Sequence, residues 1–155
     1  MHIRQQIRNA VTAQVKKVPD LANSTYESRV YQLSKDDLPA ALIFTESEVV
    51  EPATKQNRPG IQRRHVETVV YVFARADTNI ENALDDLSEK VENKILEDQT
   101  FGGIAERTTL DNTSLLIGGD PDAPTGAVRM SFATTVLTQQ GASSVPIQSG
   151  GMFNG

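Results

Sequence analysis

Near the N-terminus apolar residues return every three or four positions, at Ile3, Ile7, Val11, Val15 and Val18. That spacing predicts an amphipathic helix over residues 2–18, stopped by Pro19. Burying its five apolar side chains contributes about 8–15 kcal/mol before chain entropy is subtracted. A second helical period, Ile80, Leu84, Leu87, Val91 and Ile95, predicts a helix over residues 79–96. Thr78 and Glu81 in front of it form a capping-box pattern, the hydroxyl accepting from the backbone and the carboxylate reaching back.

Between and after the helices the period shortens to two. Arg29 to Leu33 and Ala40 to Val50 suit strands, with "SKDD" as the turn and Pro39 marking the start of the second strand. Glu51 to Gly60, "EPATKQNRPG", has no apolar period and contains two prolines, so it is expected to be a loop. Ile61 to Arg75 predicts a long strand. Val66, Val70 and Val72 fall on one face, and Val69, Tyr71 and Phe73 on the other. Its apolar half suits a buried strand, and its polar first half is expected to project from the core. Ile104 to Ile117 and Ala127 to Leu137 predict two more strands around the turn "GGDPDAPTG". In the last strand Val128, Met130, Phe132 and Val136 alternate with polar residues. This order predicts a single α+β domain, α-β-β-β-α-β-β, with a largely antiparallel sheet and both helices packed on one face. The domain is expected to span residues 1–138. Residues 139–155, part of a stretch with no charge from Thr138 onward, are expected to form a flexible tail.

Composition narrows the function. A chain of 155 residues is long enough for one self-sufficient core. It has no Cys, which removes disulfides, thiolate nucleophiles and Cys-based zinc sites. The net charge of −5 argues against a general nucleic-acid binder. No apolar run approaches the roughly 20 residues of a membrane span, so no membrane partner is expected. "MHIRQQIRNA" lacks the apolar stretch of a signal peptide, which points to a cytoplasm as the starting compartment.

The charges are unevenly placed. The first helix carries Arg4, Arg8, Lys16 and Lys17 on its polar side and no acid. Between Asp77 and Asp98 acids outnumber bases by eight to two, and Asp85, Glu89 and Glu92 lie on the second helix. Lys55, Arg58, Arg63 and Arg64 form a cationic cluster with no acid between Glu51 and Glu67. Such a loop suits an acidic protein surface or phosphate; with no aromatic stacking partner it does not suit single-strand recognition. A solubilising loop explains the same charges.

Candidate chemistry is sparse. The histidines are His2, at the terminus, and His65, which follows Arg63 and Arg64. No arrangement suggests a nucleophilic triad, and "FGGIAER" lacks the spacing and lysine of a phosphate loop. Asp120 and Asp122 in "GGDPDAP" fall short of the six to eight oxygens of a calcium site and are expected to be a plain turn. No catalytic residue, cofactor or metal site is assigned, and the protein is expected not to be an enzyme.

The order of elements, together with "RVYQLSKDDLPAALIF", "HVETVVYVFARA", "NIENALDDLSEKVENKIL" and "GAVRMSFATTVLT", resembles the tail terminator proteins of long-tailed bacteriophages, the lambda minor tail protein U type. The resemblance covers roughly Ile3 to Thr138, with a long "EPATKQNRPGIQRRH" segment and an uncharged extension as departures. It implies a homo-oligomeric ring, a hexamer, that caps the tail tube, ends its polymerisation and presents a surface to the head-tail connector or stopper. The implied partners are a second copy, the tail tube protein and the connector, with DNA only as cargo. The implied location is the virion neck, after assembly in the host cytoplasm. In that light Arg4, Arg8 and Lys16 would meet Asp85, Glu89 and Glu92 across a heterologous interface, and Lys55, Arg58, Arg63 and Arg64 would contact a partner. The alternatives are another neck component of the stopper type, a small nucleic-acid-associated module using the 55–64 loop, and an enzyme with an unobvious metal site.

Overall fold

Helix α1, Ile3–Val15, buries Ile3, Ile7, Val11 and Val15 completely. It ends three residues before the sequence period does. Val18 takes an extended backbone, as a residue before proline must, and Pro19–Leu21 form a single 3-10 turn. Val18 and Leu21 still reach the core. The computed structural model describes residues 1–30, 33–53, 60–76, 78–120 and 123–147.

The first strand differs from expectation. It is the two-residue β1, Thr25–Tyr26, which pairs in parallel with Ala41 and Leu42. Arg29 and Val30 lie in a bend, and Tyr31 and Gln32 fall outside the described residues. A strand of two residues cannot show a period. It is selected by hydrogen bonds to its neighbour, with Ala41 N–H donating to the Ser24 carbonyl. "SKDD" is a 3-10 turn, Lys35–Asp37, in which the Asp37 carboxylate accepts from the Ser34 N–H at 2.8 Å.

The remaining strands are long: β2, Ala40–Pro52; β3, Ile61–Arg75; β4, Arg107–Asp120; and β5, Ala123–Gln139. Their order in the sheet is β1-β2-β3-β5-β4, antiparallel except for β1. The β4–β5 hairpin runs through the predicted turn. Gly118, Gly119 and Asp120 pair with Thr125, Pro124 and Ala123, because ladder bonds use the backbone and tolerate residues that lack strand propensity. The polar first half of β3 is likewise paired along its length, with β2 on one side and β5 on the other.

Helix α2, Ile80–Ile95, is capped by Asn79 rather than Thr78, the Asn79 amide oxygen accepting from Asn82 N–H at 3.0 Å. Both satisfy the same need for an acceptor at the helix start, one residue apart. Both helices cover one face of the sheet. α1 packs on β2, and α2 packs on β3 and β5. Between them and the sheet lie Ala41, Ile43, Val66, Val70, Val72, Val128, Met130, Phe132 and Val136 in a continuous core. Gly126 allows α2 to approach: a Cβ there would stand 2.8 Å from Leu84 Cδ1 and 3.1 Å from the Leu116 carbonyl oxygen. The opposite face carries a stacked row, Phe44, Tyr71 and Phe73, with ring centroids 5.9 and 5.8 Å apart. The Arg29 guanidinium lies 4.2 Å above the Phe44 ring.

Beyond β5 the chain folds back on the domain as far as it is described. Ile147 N–H donates to the Leu137 carbonyl, Ile3 N–H donates to the Ser143 carbonyl, and Gln6 Nε2 donates to the Ser144 carbonyl.

Candidate functional site

The candidate residues sort into the two lateral sides of the subunit. On α1, Gln14 Nε2 donates to the Lys94 carbonyl at 2.6 Å, so Gln14 marks the flank turned toward α2. Arg8 Nη1 donates to Thr45 Oγ1 at 2.8 Å, which marks the opposite flank, turned toward β2. Arg4 lies one turn before Arg8 on that flank. His2, Arg4, Gln5 and Arg8 line a polar cleft against Thr45 to Glu48. The carboxylates of that cleft are committed elsewhere, Glu46 to Arg29 and Arg129, and Glu48 to Arg64. His2 holds the helix start, its Nδ1 accepting from Arg4 N–H at 3.1 Å. Partial burial, then the Arg4 charge, depresses its pKa below the ordinary imidazole value, consistent with a neutral acceptor. Lys16 is exposed at the end of α1.

On α2 the basic side faces α1: Lys90 Nζ lies 3.3 Å from Asp20 Oδ2, and the Lys94 carbonyl holds Gln14. At about 100° per residue, Asp85, Glu89 and Glu92 lie roughly 150° around the helix from these lysines. They therefore turn away from α1, with Asp85 and Glu89 exposed. Among the described residues no ion pair joins Arg4, Arg8 or Lys16 to Asp85, Glu89 or Glu92. Arg4 and Arg8 thus stand on the β2 side of the subunit, beside the engaged carboxylates of Glu46 and Glu48, and the three acids of α2 stand on the far side from them.

The cationic cluster divides. Lys55 and Arg58 lie outside the described residues. Arg63 is half exposed and stands 3.6 Å from the Glu106 carboxylate. Arg64 points into the protein and is 8% exposed. Its Nε donates to Thr138 Oγ1 at 2.8 Å, Nη1 to Glu48 Oε1 at 3.3 Å and Nη2 to Gln62 Oε1 at 3.2 Å. The guanidinium thus ties β2, β3 and β5 together. Sequence reasoning missed this role because a run of cations carries no mark of which face each one takes. Period two along β3 is the one available signal, since Arg64 shares parity with Val66 and Val70. His65 faces the other way, Nε2 lying 2.9 Å from Glu51 Oε1. That hydrogen bond lowers the Glu51 pKa below the usual carboxylate value.

Asp120 pairs with Ala123 in the hairpin, and Asp122 falls outside the described residues. Among the described residues no three His, Asp or Glu side chains group as metal ligands. An apolar cleft of about 550 Å³ lies at the far end of the sheet, lined by residues including Leu42, Phe73 and Leu116, with no titratable side chain among the described residues of its wall.

The family model for phage minor tail protein U matches residues 2–114, nearly three quarters of the chain. The chain belongs to the phage minor tail protein U family. It is a structural protein of the bacteriophage virion, from the tail. Among solved structures its fold is similar to a chain of the virion of a native gene transfer agent (GTA) particle, at 13% identity over 88% of this chain and 92% of that one, with a TM-score of 0.49. No curated protein sequence matches this chain.

Proposed function

We propose that the protein is the tail terminator: it closes the tail tube as a hexameric ring, ends tube polymerisation and presents the surface to which the head connector attaches, with DNA passing through as cargo. The observation that carries this reading is the pair of oppositely charged flanks. A heterologous contact, repeated around a closed ring, brings the Arg4 and Arg8 side of each subunit against the Asp85, Glu89 and Glu92 side of the next. An isologous dimer would instead set each flank against its own kind. Such a protein acts by interfaces, and family membership in a tail protein group agrees with that. Lys55, Arg58 and Arg63 are left for the tube or connector, since Arg64 is occupied within the subunit.

Charge reversal tests this. Arg4→Glu with Arg8→Glu should lower the melting temperature by only a few degrees, because Arg4 is exposed and half-buried Arg8 gives up a single hydrogen bond to Thr45. It should abolish ring formation in native mass spectrometry and tail joining in particle assembly. Adding Asp85→Lys and Glu89→Lys should restore both. A protein that is monomeric both alone at high concentration and in assembled virions overturns the reading.

A further inference from the structure

We infer that, within the ring proposed above and resting on that reading, subunits join by continuing the sheet: the outer edge of β4 in one copy pairs antiparallel with the outer edge of β2 in the next, with Leu116 opposite Val49. β4 is an edge strand, and three consecutive apolar residues on it, Leu115, Leu116 and Ile117, are 46, 56 and 48% exposed. β1 covers β2 only at Ala41 and Leu42, so its second half is a second open edge, with Val49 60% and Val50 42% exposed. Long apolar edges of this kind template pairing with another chain.

Direction, face and charge agree on one register. In the order β2-β3-β5-β4 every neighbour is antiparallel, so β2 and β4 run oppositely, and a head-to-tail neighbour presents its β2 antiparallel to β4 with its helices on the same face. Val49 pairs with His65, and Leu116 with Ala127, which pairs with Phe73. His65 and Phe73 share the helix-free face, so Val49 and Leu116 share it too. Placing these two opposite each other sets Val50 against Leu115 on the helix face. A slip of one residue would mismatch every pair. In this register Thr113 to Gly118 lie along Ser47 to Pro52, and β4 ends short of Ala41 and Leu42, which β1 already occupies.

The charged flanks meet at the same register. Arg4 and Arg8 stand at the level of Thr45 to Glu48, beside Val49. Leu84 packs against Gly126, the partner of Ile117, so Asp85 stands at the level of Leu116. Bringing Val49 to Leu116 therefore also brings the basic cleft to the acidic flank of α2. Val49 is level with Thr135 and Leu116 with Ala127, an eight-residue offset of about 27 Å. Strands joined with that stagger tilt against the ring axis, as closure of a staggered sheet requires.

The chain has no cysteine, so V49C and L116C place unique thiols. Directly opposed residues hold their Cβ atoms about 4.5–5.5 Å apart, within reach of mild oxidation or a short bis-maleimide. The V49C/L116C chain should give a cross-linked ladder ending at the ring size. Each single variant alone should give none, and the two mixed should give dimers only. Self-cross-linking of either single variant would overturn the heterologous pairing. A ring seen by native mass spectrometry without any 49–116 link would overturn the edge pairing and leave the terminator reading standing, whereas absence of any oligomer, alone or in virions, removes both. As an independent readout, amide exchange across Thr113 to Gly118 should slow at least tenfold on assembly; unchanged exchange refutes the pairing.

Discussion

Replacing Arg64 with Met removes a guanidinium that is buried among three strands. The exposed-cation picture predicts almost no effect on folding. The structure predicts a large one. The Glu48 carboxylate opposite it is equally enclosed, the two side chains being 10 and 11% exposed. Glu48 Oε2 has no hydrogen-bond partner, so Arg64 is what balances the charge. Breaking a buried pair by removing one partner costs about 3–5 kcal/mol, because the remaining charge stays desolvated. Against a typical stability of about 5–15 kcal/mol this is a major fraction. For a chain of this length it lowers the melting temperature by roughly 6–20 °C. Urea unfolding followed by circular dichroism measures it at constant slope. The double variant Arg64→Met with Glu48→Met should recover at least about half of the loss, since no buried charge is then left unpaired. Arg63→Ser, half exposed, should change stability by less than about 1 kcal/mol. A loss below about 1 kcal/mol for Arg64→Met, or a double variant no more stable than the single, refutes the assigned role.

Three further outcomes are expected. Gly126→Val should destabilise by about 1–3 kcal/mol in urea unfolding, because the added methyls meet buried Leu84 and the Leu116 carbonyl; a neutral result would show that α2 can lift without cost. The Asp98 pKa is depressed, first by the Gly102 N–H and then by the Thr100 hydroxyl, so its contribution is present above the unfolded pKa and is lost as pH falls through the lower folded one; Asp98→Asn should flatten that acid limb of a stability-against-pH profile, and an unchanged limb would show that these hydrogen bonds do not hold the carboxylate. Ending the chain after Gln140 rather than after Ile147 removes the bonds to Leu137, Ile3 and Gln6 and should cost about 1–3 kcal/mol relative to the longer truncation; equal melting of the two truncations would show that the returning segment adds nothing.

What was legible in the sequence was periodic. Ile3 to Val15 and Ile80 to Ile95 each show a helical stripe because one face of a helix must leave water, and the stripe residues Ile3, Ile7, Val11, Val15 and Ile80, Leu84, Leu87, Val91, Ile95 are buried. The alternation of Val66, Val70 and Val72 with Tyr71 and Phe73 sorted β3 correctly into its two faces for the same reason. The order of the two helices and the four long strands, and hence the α+β class, followed from those periods. The structural role was expected from the resemblance of those ordered segments to a tail protein family, and the family match agrees with it.

Tertiary structure decided whatever depends on a distant partner. Thr25 and Tyr26 are a strand only because Ala41 and Leu42 lie beside them. Gly118 to Asp120 extend β4 only because β5 returns to pair with them. Arg64 turns inward because Glu48 and Thr138, 16 and 74 residues away, meet it there. The sidedness of the charged helices belongs to this class as well. Composition shows that one helix is basic and the other acidic, but their flanks are set by the contacts of Arg8 with Thr45 and of Gln14 with Lys94. Burial leaves a local, repeating trace in sequence because each residue meets the solvent boundary on its own. Pairing does not, because its energy resides in contacts between positions whose separation along the chain carries no period.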